Sequence, residues 1–312
     1  MHTYFDTAPH YRPYRWAGPD FQIGLQPITA AEWLCIDHNY SDLMRTKRAH
    51  VELTPARFYK ALECSLAAQT ELRQAVSTHL ATHFPQLFTL SGSLLTAQSD
   101  GNTLNLHDDS DEPLRQLSRI VQEDFMLIQE IDGHQTITAA ANAYSSSGRL
   151  VASVGRDLRW AHEPVPHLTA SLGLRIDRII ASVHENSPCA RFNWQLTPLS
   201  SIFLPPDPHA ANQAALKSVR ARLQEDPALA GQLLNVRVER QTLRRLPATR
   251  AVAFSIHTYS DPLASIATDF SSVQSMLELL RQYSGDRLRY TEMDGIQEAV
   301  VTWLERLVEQ NA

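Results

Sequence analysis

The chain has 312 residues and a net charge of −6, with 43% apolar and 20% charged residues. That length allows about two domains, or one domain enlarged by helices, with a core large enough to enclose a cofactor. The acidic balance excludes a general nucleic-acid binder, and no apolar run reaches the roughly 18 residues that a transmembrane helix needs.

The residues from Met1 to Ile28, rich in Tyr, Pro and Arg, read as an irregular arm lying on the surface. Thr29 followed by Glu32 makes a capping-box pattern before a short helix carrying Trp33, Leu34 and Ile36. The spacing then predicts a long helix from Thr54 to Phe84, with Pro55 in its first turn and Pro85 beyond its end. Phe58, Leu62, Leu66, Leu72, Val76 and Leu80 would form its apolar stripe. Ala97 to Glu112 is polar and reads as a loop or weak hairpin, after which Pro113 opens a second helix running through Phe125 to Ile128.

Asp132-Gly133 is a turn signal, and Gln135 to Ala143 alternates like a strand. The change of period near residue 130 sets three regions: an N-terminal arm and helical region over 1–128, a sheet-containing core over 129–263, and C-terminal helices over 264–312. Within the core, Ser171 to Val183 is a helix, and Ala190 to Leu196, Leu233 to Leu243 and Ala251 to Tyr259 are strands. A helical insert from Ala210 to Glu225 separates the first two of these strands. The tail from Ser272 to Glu309 contributes two helices broken at Ser284-Gly285.

Cys35, Cys64 and Cys189 are scattered and odd in number. They form neither a disulfide framework nor a CxxC pair for zinc or an iron–sulfur cluster. With no signal-like apolar segment at the N-terminus, a cytoplasmic address is the default. Nucleotide-binding, nucleophile-elbow and HExxH signatures are missing. In His162-Glu163-Pro164-Val165-Pro166-His167 the histidines are five apart, and two prolines oppose the helix that a zinc protease would need. The segment instead offers a histidine on a rigid, extended backbone, suited to ligating a planar cofactor; the plainer alternative is a loop histidine bonded to backbone.

Two other clusters carry polar groups on strands. In Arg191-Phe192-Asn193-Trp194, alternation sends Arg191 and Asn193 to one face and the aromatics to the other. Such a pair suits a pocket for a carboxylate or small ligand, or else an ion pair at the sheet rim. In the run from Arg237 to Leu243, Arg237, Glu239 and Gln241 share one face and Val238, Arg240 and Thr242 the other. This charge density points to a binding strand or to an edge strand guarded against aggregation. Ser255, His257 and Tyr259 alternate along the last strand, so their polar face is expected to meet the same pocket.

These segments, HEPVP, RFNW, RVERQTLRRLP and AVAFSIHTY, resemble the signature blocks of the haem-dependent oxidative N-demethylase α-subunit-like family, long catalogued as a domain of unknown function. Ile23-Gly24-Leu25, Trp33, Glu123-Asp124-Phe125 and Tyr144-Ser145-Ser146 follow in the same order, so the resemblance spans most of the chain. The sequence departs from the pattern at Tyr144-Ser145-Ser146-Ser147-Gly148, where a proline before the serine and a tryptophan after it would be expected, and matches loosely from Arg149 to Trp160. The resemblance implies an α+β fold: a haem-binding PAS-like antiparallel sheet with a helical middle, flanked by N-terminal and C-terminal helices. It implies haem b as cofactor and His162 as its axial ligand, with His167 or His184 as the alternatives. Arg191, Asn193, Arg237, Glu239 and Tyr259 become candidates for the polar side of the pocket or for gripping haem propionates.

The implied activity is a haem-dependent monooxygenase component that demethylates a small, dimethylamine-like secondary amine with O2, releasing formaldehyde. Since the chain has no nucleotide-binding fingerprint and no iron–sulfur ligands, its electrons are expected from a partner reductase. The rival readings are a non-catalytic haem-PAS gas or redox sensor and a haem-free PAS-like binding protein. No nucleic acid or membrane is expected among its partners.

Overall fold

A computed structural model of the protein describes residues 11–18, 23–144, 150–162, 170–203, 205, 207–283 and 285–311. Its elements in order are β1 (Gln26–Pro27), α1 (Tyr40–Leu53), α2 (Pro55–Phe58), β2 (Tyr59–Ala61) and α3 (Leu66–His83). A small meander follows, β3 (Phe88–Ser91), β4 (Leu94–Ala97) and β5 (Thr103–Asn105), then α4 (Pro113–Leu117). The hairpin β6 (Asp124–Ile131) and β7 (His134–Ala141) leads to α5 (Leu158–His162), α6 (Ala170–Ser182) and β8 (Cys189–Thr197). The rest comprises α7 (Pro208–Glu225), α8 (Ala230–Leu233), β9 (Asn235–Arg245), β10 (Val252–Pro262), α9 (Phe270–Gln282), α10 (Gly285–Tyr290) and α11 (Gln297–Gln310).

The protein is a mixed α+β structure built on one large antiparallel sheet, ordered β1-β8-β9-β10-β6-β7-β2, with β3-β4-β5 as a separate small sheet. Antiparallel register fixes two faces, because residues directly opposite each other project to the same side. The front face carries Arg237, Glu239, Gln241 and Leu243 of β9. The back face carries Val238, Arg240 and Thr242. Behind the sheet, Phe125, Leu127 and Ala253 pack on Leu72, Val76 and Leu80 of α3. Val238, Leu196 and Tyr259 pack on Met276 and Leu280 of α9 and Leu304 of α11. In front, Ile176 and Ile180 of α6 join Leu158 of α5 against Met126, Ile128, Leu243 and Phe254. Arg245 pins the end of α6 to the sheet by donating to the carbonyls of Ile180 and Val183, at 2.6 and 2.7 Å.

The three strands expected after the helical middle form within two or three residues of their predicted bounds, and the Gln135 strand forms as β7. Four expectations are corrected. The Thr54 helix breaks after Phe58, because Tyr59–Ala61 pairs with β7 at the sheet edge and only α3 continues as helix. The Pro113 helix stops at Leu117. Phe125 and Ile128 belong to β6, a strand so deeply buried on both faces that its apolar run carries no alternation to distinguish it from helix. The surface arm is partly core: Pro13 and Tyr14 are buried, and Tyr14 packs edge-on against Trp194. The tail forms three helices rather than two. At Thr29 the expected cap is present, with the Glu32 carboxylate accepting from the Thr29 N–H and hydroxyl at 2.9 and 2.7 Å, but it opens only a 3-10 turn. Among the described residues no helix is long and apolar enough to cross a membrane.

Candidate functional site

The front face is apolar where α5 and α6 cover it and polar farther along the same strands. On β8, Arg191, Asn193 and Gln195 lie opposite Gln241, Glu239 and Arg237. On β10, Ile256, Thr258 and Ser260 lie opposite the same three residues from the other side. β9 is thus paired along both edges, which removes the edge-strand explanation of its charges.

Arg237 and Glu239 are buried. The Arg237 guanidinium donates to the carbonyls of Ser201 and Ile202, at 3.4 and 3.2 Å, and to that of Tyr144. It therefore straps the chain after β8 across one end of the front face. Gln241 donates to Glu239 Oε2 at 2.9 Å. Beneath the strap, the Asp124 carboxylate accepts from the N–H groups of Ala143 and Tyr144, at 2.8 and 2.7 Å. The Lys47 ammonium, buried behind it, lies 3.6 Å from Asp124 and donates to the carbonyls of Val121, Gln122 and Glu123. Burial pushes the Lys47 pKa below its ordinary value although Asp124 opposes the change.

Several front-face groups remain unsatisfied. Arg191 Nε, Arg237 Nε, Thr258 Oγ1 and Ser260 Oγ are all buried with no hydrogen-bond partner among the described residues. Burial lowers the Arg191 pKa, and the nearby Glu239 carboxylate opposes that shift. A guanidinium keeps its proton in either case, so a cation stands on this face with an unused donor. Unsatisfied buried polar atoms are rare in folded proteins, and each asks for an explanation such as a water or a ligand. Four of them share the front face, which makes it the candidate binding surface. The Tyr290 phenol at the end of α10 lies within electrostatic reach of Arg191 and Glu239, and burial raises its pKa.

The back face holds a different cluster. His257 is wholly buried, with Nε2 2.8 Å from Asp37 Oδ2 and Nδ1 3.2 Å from Glu123 Oε1. Burial alone would lower its pKa, but the bonds to Asp37 and Glu123 outweigh it and raise the pKa to about 9. Tyr259 stacks on this imidazole, at 4.7 Å between centroids. The Tyr11 hydroxyl lies 3.8 Å from Cys35 Sγ, and Arg240 donates to the carbonyls of Trp33 and Glu32. The cluster fastens the N-terminal segment to the back of the sheet.

Of the residues selected from sequence, Arg191, Asn193, Arg237 and Glu239 do share one face, with Asn193 exposed at its rim. Tyr259 does not join them. It lies opposite Val238 on the back face, so the polar residues that β10 contributes to the site are Thr258 and Ser260, not Ser255, His257 and Tyr259. His162 closes α5, so its backbone is helical rather than extended, and Arg159 of α5 is tied to Asp177 of α6 with Nε 3.0 Å from Oδ2. His167, Pro164, Pro166 and Ser145 to Arg149 lie outside the described residues. His184 is exposed just after α6. The hydroxyls of Thr258 and Ser260 and the Asp37–His257–Glu123 cluster were not selected from sequence. A family model described as "Haem-dependent oxidative N-demethylase, alpha subunit-like" matches residues 24–301.

Proposed function

Because the chain belongs to the haem-dependent oxidative N-demethylase α-subunit-like family, we propose that it is the haem-carrying oxygenase component of a multi-subunit demethylase acting on a small secondary amine. The observation that carries this reading is the half-buried Arg191 on the front face, whose buried Nε has no hydrogen-bond partner among the described residues and stands beside an apolar wall. A haem needs that combination: apolar surface for its macrocycle and cations for its propionates. The residues present fit the group. Ile176 and Phe254, the partly exposed residues of that wall, would flank the ring, and Arg191 would take a propionate. His162, at the end of α5, would hold the iron, with His167 as the alternative.

A PAS-like character is supported by the path of the chain. The β6–β7 hairpin is followed by α5 and α6, and β8, β9 and β10 then return so that the last strand lies beside the first. Bound haem b would supply the oxidation of an N-methyl group by O2, leaving the demethylated amine and formaldehyde. The Glu239 carboxylate, on the same face as Arg191 and Arg237, would hold the substrate as its ammonium ion. Gln241 fixes the orientation of that carboxylate through its 2.9 Å bond. Electrons would come from a partner reductase, since the chain has neither a nucleotide fingerprint nor cluster-ligating cysteines. Its three cysteines are unpaired, which suits a cytoplasmic protein.

The test is spectroscopic. Protein expressed with haem supplied is expected to show a Soret band, and dimethylammonium is expected to perturb it. His162→Ala should change the axial ligation, and Glu239→Gln should weaken the amine-induced shift without lowering haem content. A protein with no Soret band would refute the haem reading. Haem without an amine response or turnover with reductant would favour a sensor.

A further inference from the structure

The N-terminal arm is pinned to the back of the sheet yet turns a large aromatic ring outward. Tyr14 is buried and packs edge-on against Trp194, which holds the arm in place. Two residues later Trp16 stands 57% exposed, while Trp33 and Trp303 are buried. An edge contact with Phe192, at 6.0 Å between centroids, fixes the indole against β8. Beside it Arg12 donates to Asp269, and the Arg15 guanidinium lies 3.6 Å from the same carboxylate oxygen. Asp269 already caps α9, accepting from the hydroxyls of Ser271 and Ser272, each at 2.7 Å. One carboxylate cannot match two guanidiniums, so the patch keeps a positive charge and the Arg15 side chain is left 42% exposed. Phe270, the first residue of α9, adds a partly exposed ring next to Asp269. Tryptophan and arginine with a further aromatic are the residues that dominate binding at protein interfaces. Because the arm is already fixed, a partner that binds there loses little to ordering it.

We propose that Arg12, Arg15, Trp16 and Phe270 form the docking surface for the acidic face of the electron-donating partner subunit. The role of this surface rests on the haem-component reading of the chain. Two features select the occupant. The first is charge: the chain carries −6 overall, so an acidic partner is repelled elsewhere and drawn to the arginines. The second is position. Phe192, on which Trp16 rests, follows Arg191 in β8, and Arg191 projects to the front face, where it would take a haem propionate. Electron transfer slows steeply with distance, so a donor must dock where its route is short. From Trp16 the route crosses one ring and one strand. Electron-transfer encounters are also among the smallest specific interfaces, below about 1,200 Å² in total, so a compact patch suffices.

The probe is a plant-type [2Fe–2S] ferredoxin, an acidic one-electron protein donor. Calorimetric titration of the haem-loaded protein with oxidised ferredoxin reads docking alone, and stopped-flow mixing with reduced ferredoxin reads electron delivery to the haem. The wild type is expected to bind, with an affinity that falls as salt is raised. Trp16→Ala should weaken binding about tenfold or more. Arg15→Glu should slow association about tenfold and flatten the salt dependence. Haem reduction by ferredoxin should slow in step, whereas dithionite, which needs no docking, should reduce all three proteins at one rate. A wild type that does not bind ferredoxin, or variants that bind and are reduced like the wild type, would overturn the docking surface. So would a wild-type dimer that Trp16→Ala converts to monomer, since the patch would then join two copies of this chain. If no Soret band forms, the haem reading fails and the electron-delivery role fails with it, even where ferredoxin still binds.

Discussion

Replacing His257 by glutamine separates the charge of the buried imidazolium from the packing of its ring. The folded-state pKa of about 9 lies above the ordinary 6.5. At about 1.36 kcal/mol per pH unit, that difference corresponds to about 3 kcal/mol of stabilisation. A raised pKa means that the folded state holds its proton more tightly than the unfolded chain. The stabilisation is therefore complete below pH 6.5 and is lost as the pH rises toward 9. Wild-type unfolding free energy should fall by about 3 kcal/mol across that interval, read from urea midpoints at constant slope. His257→Gln should be less stable at neutral pH by about 3–5 kcal/mol, since Asp37 and Glu123 then face each other without a cation. Its stability should also lack the wild-type decline above pH 6.5. If the variant does not fold, NMR titration of the wild-type imidazole gives the same information. Parallel pH profiles for the two proteins, or an imidazole that titrates near 6.5, would refute the reasoning.

Three further outcomes follow from packing and charge. At Gly231 a Cβ would stand 2.7 Å from Trp303 Cζ2 and 3.3 Å from the Ala264 Cβ, so Gly231→Ala should destabilise by about 1–3 kcal/mol despite its better helix propensity, and a raised melting temperature would contradict this. Lys47→Met leaves three carbonyls and Asp124 without their ammonium and should cost about 3–5 kcal/mol in chemical denaturation; a change below about 1 kcal/mol would show that the buried pair contributes little. Arg191→Leu should leave the haem-free protein as stable as wild type or more so, because it removes a buried unsatisfied donor, while lowering the ratio of Soret to protein absorbance. A clear loss of haem-free stability would make Arg191 a structural residue instead.

Much of the sheet is legible in the chain because β8, β9 and β10 alternate strongly, and alternation sorts each strand's residues into two faces. It does not say which face of one strand coincides with which face of the next. A one-residue difference in register exchanges every side chain, and that is why Tyr259 was grouped with Glu239 when Thr258 is its true neighbour. The register is set by the turn from Leu246 to Ala251, where Arg250 adopts a positive φ of 61° and Glu71 of α3 accepts from the N–H groups of Ala248 and Thr249. That clamp is a tertiary contact, invisible to any local pattern. The grouping of Asp37 and Glu123 around His257 is hidden for the same reason, since the three lie far apart in the chain and no local pattern joins them. β6 reads as helix from sequence because Phe125 to Ile128 is apolar throughout, a pattern that a helix and a doubly covered strand share.

The clamp around His257 also sets an order of events at the ribosome. Asp37 emerges 220 residues before the imidazole that it bonds, and Glu123 emerges 134 residues before it. β6, whose buried residues need β10 beside them, likewise waits for a strand made much later. Once β6 has emerged, and until β10 is made, the nascent chain therefore carries two solvated carboxylates and an unpaired, apolar strand edge, a state prone to association with other chains. Closure of the sheet comes only after Pro262 has left the exit tunnel. Chaperone dependence during translation should exceed that of refolding from dilute denaturant, where both ends of every long-range contact are present from the start.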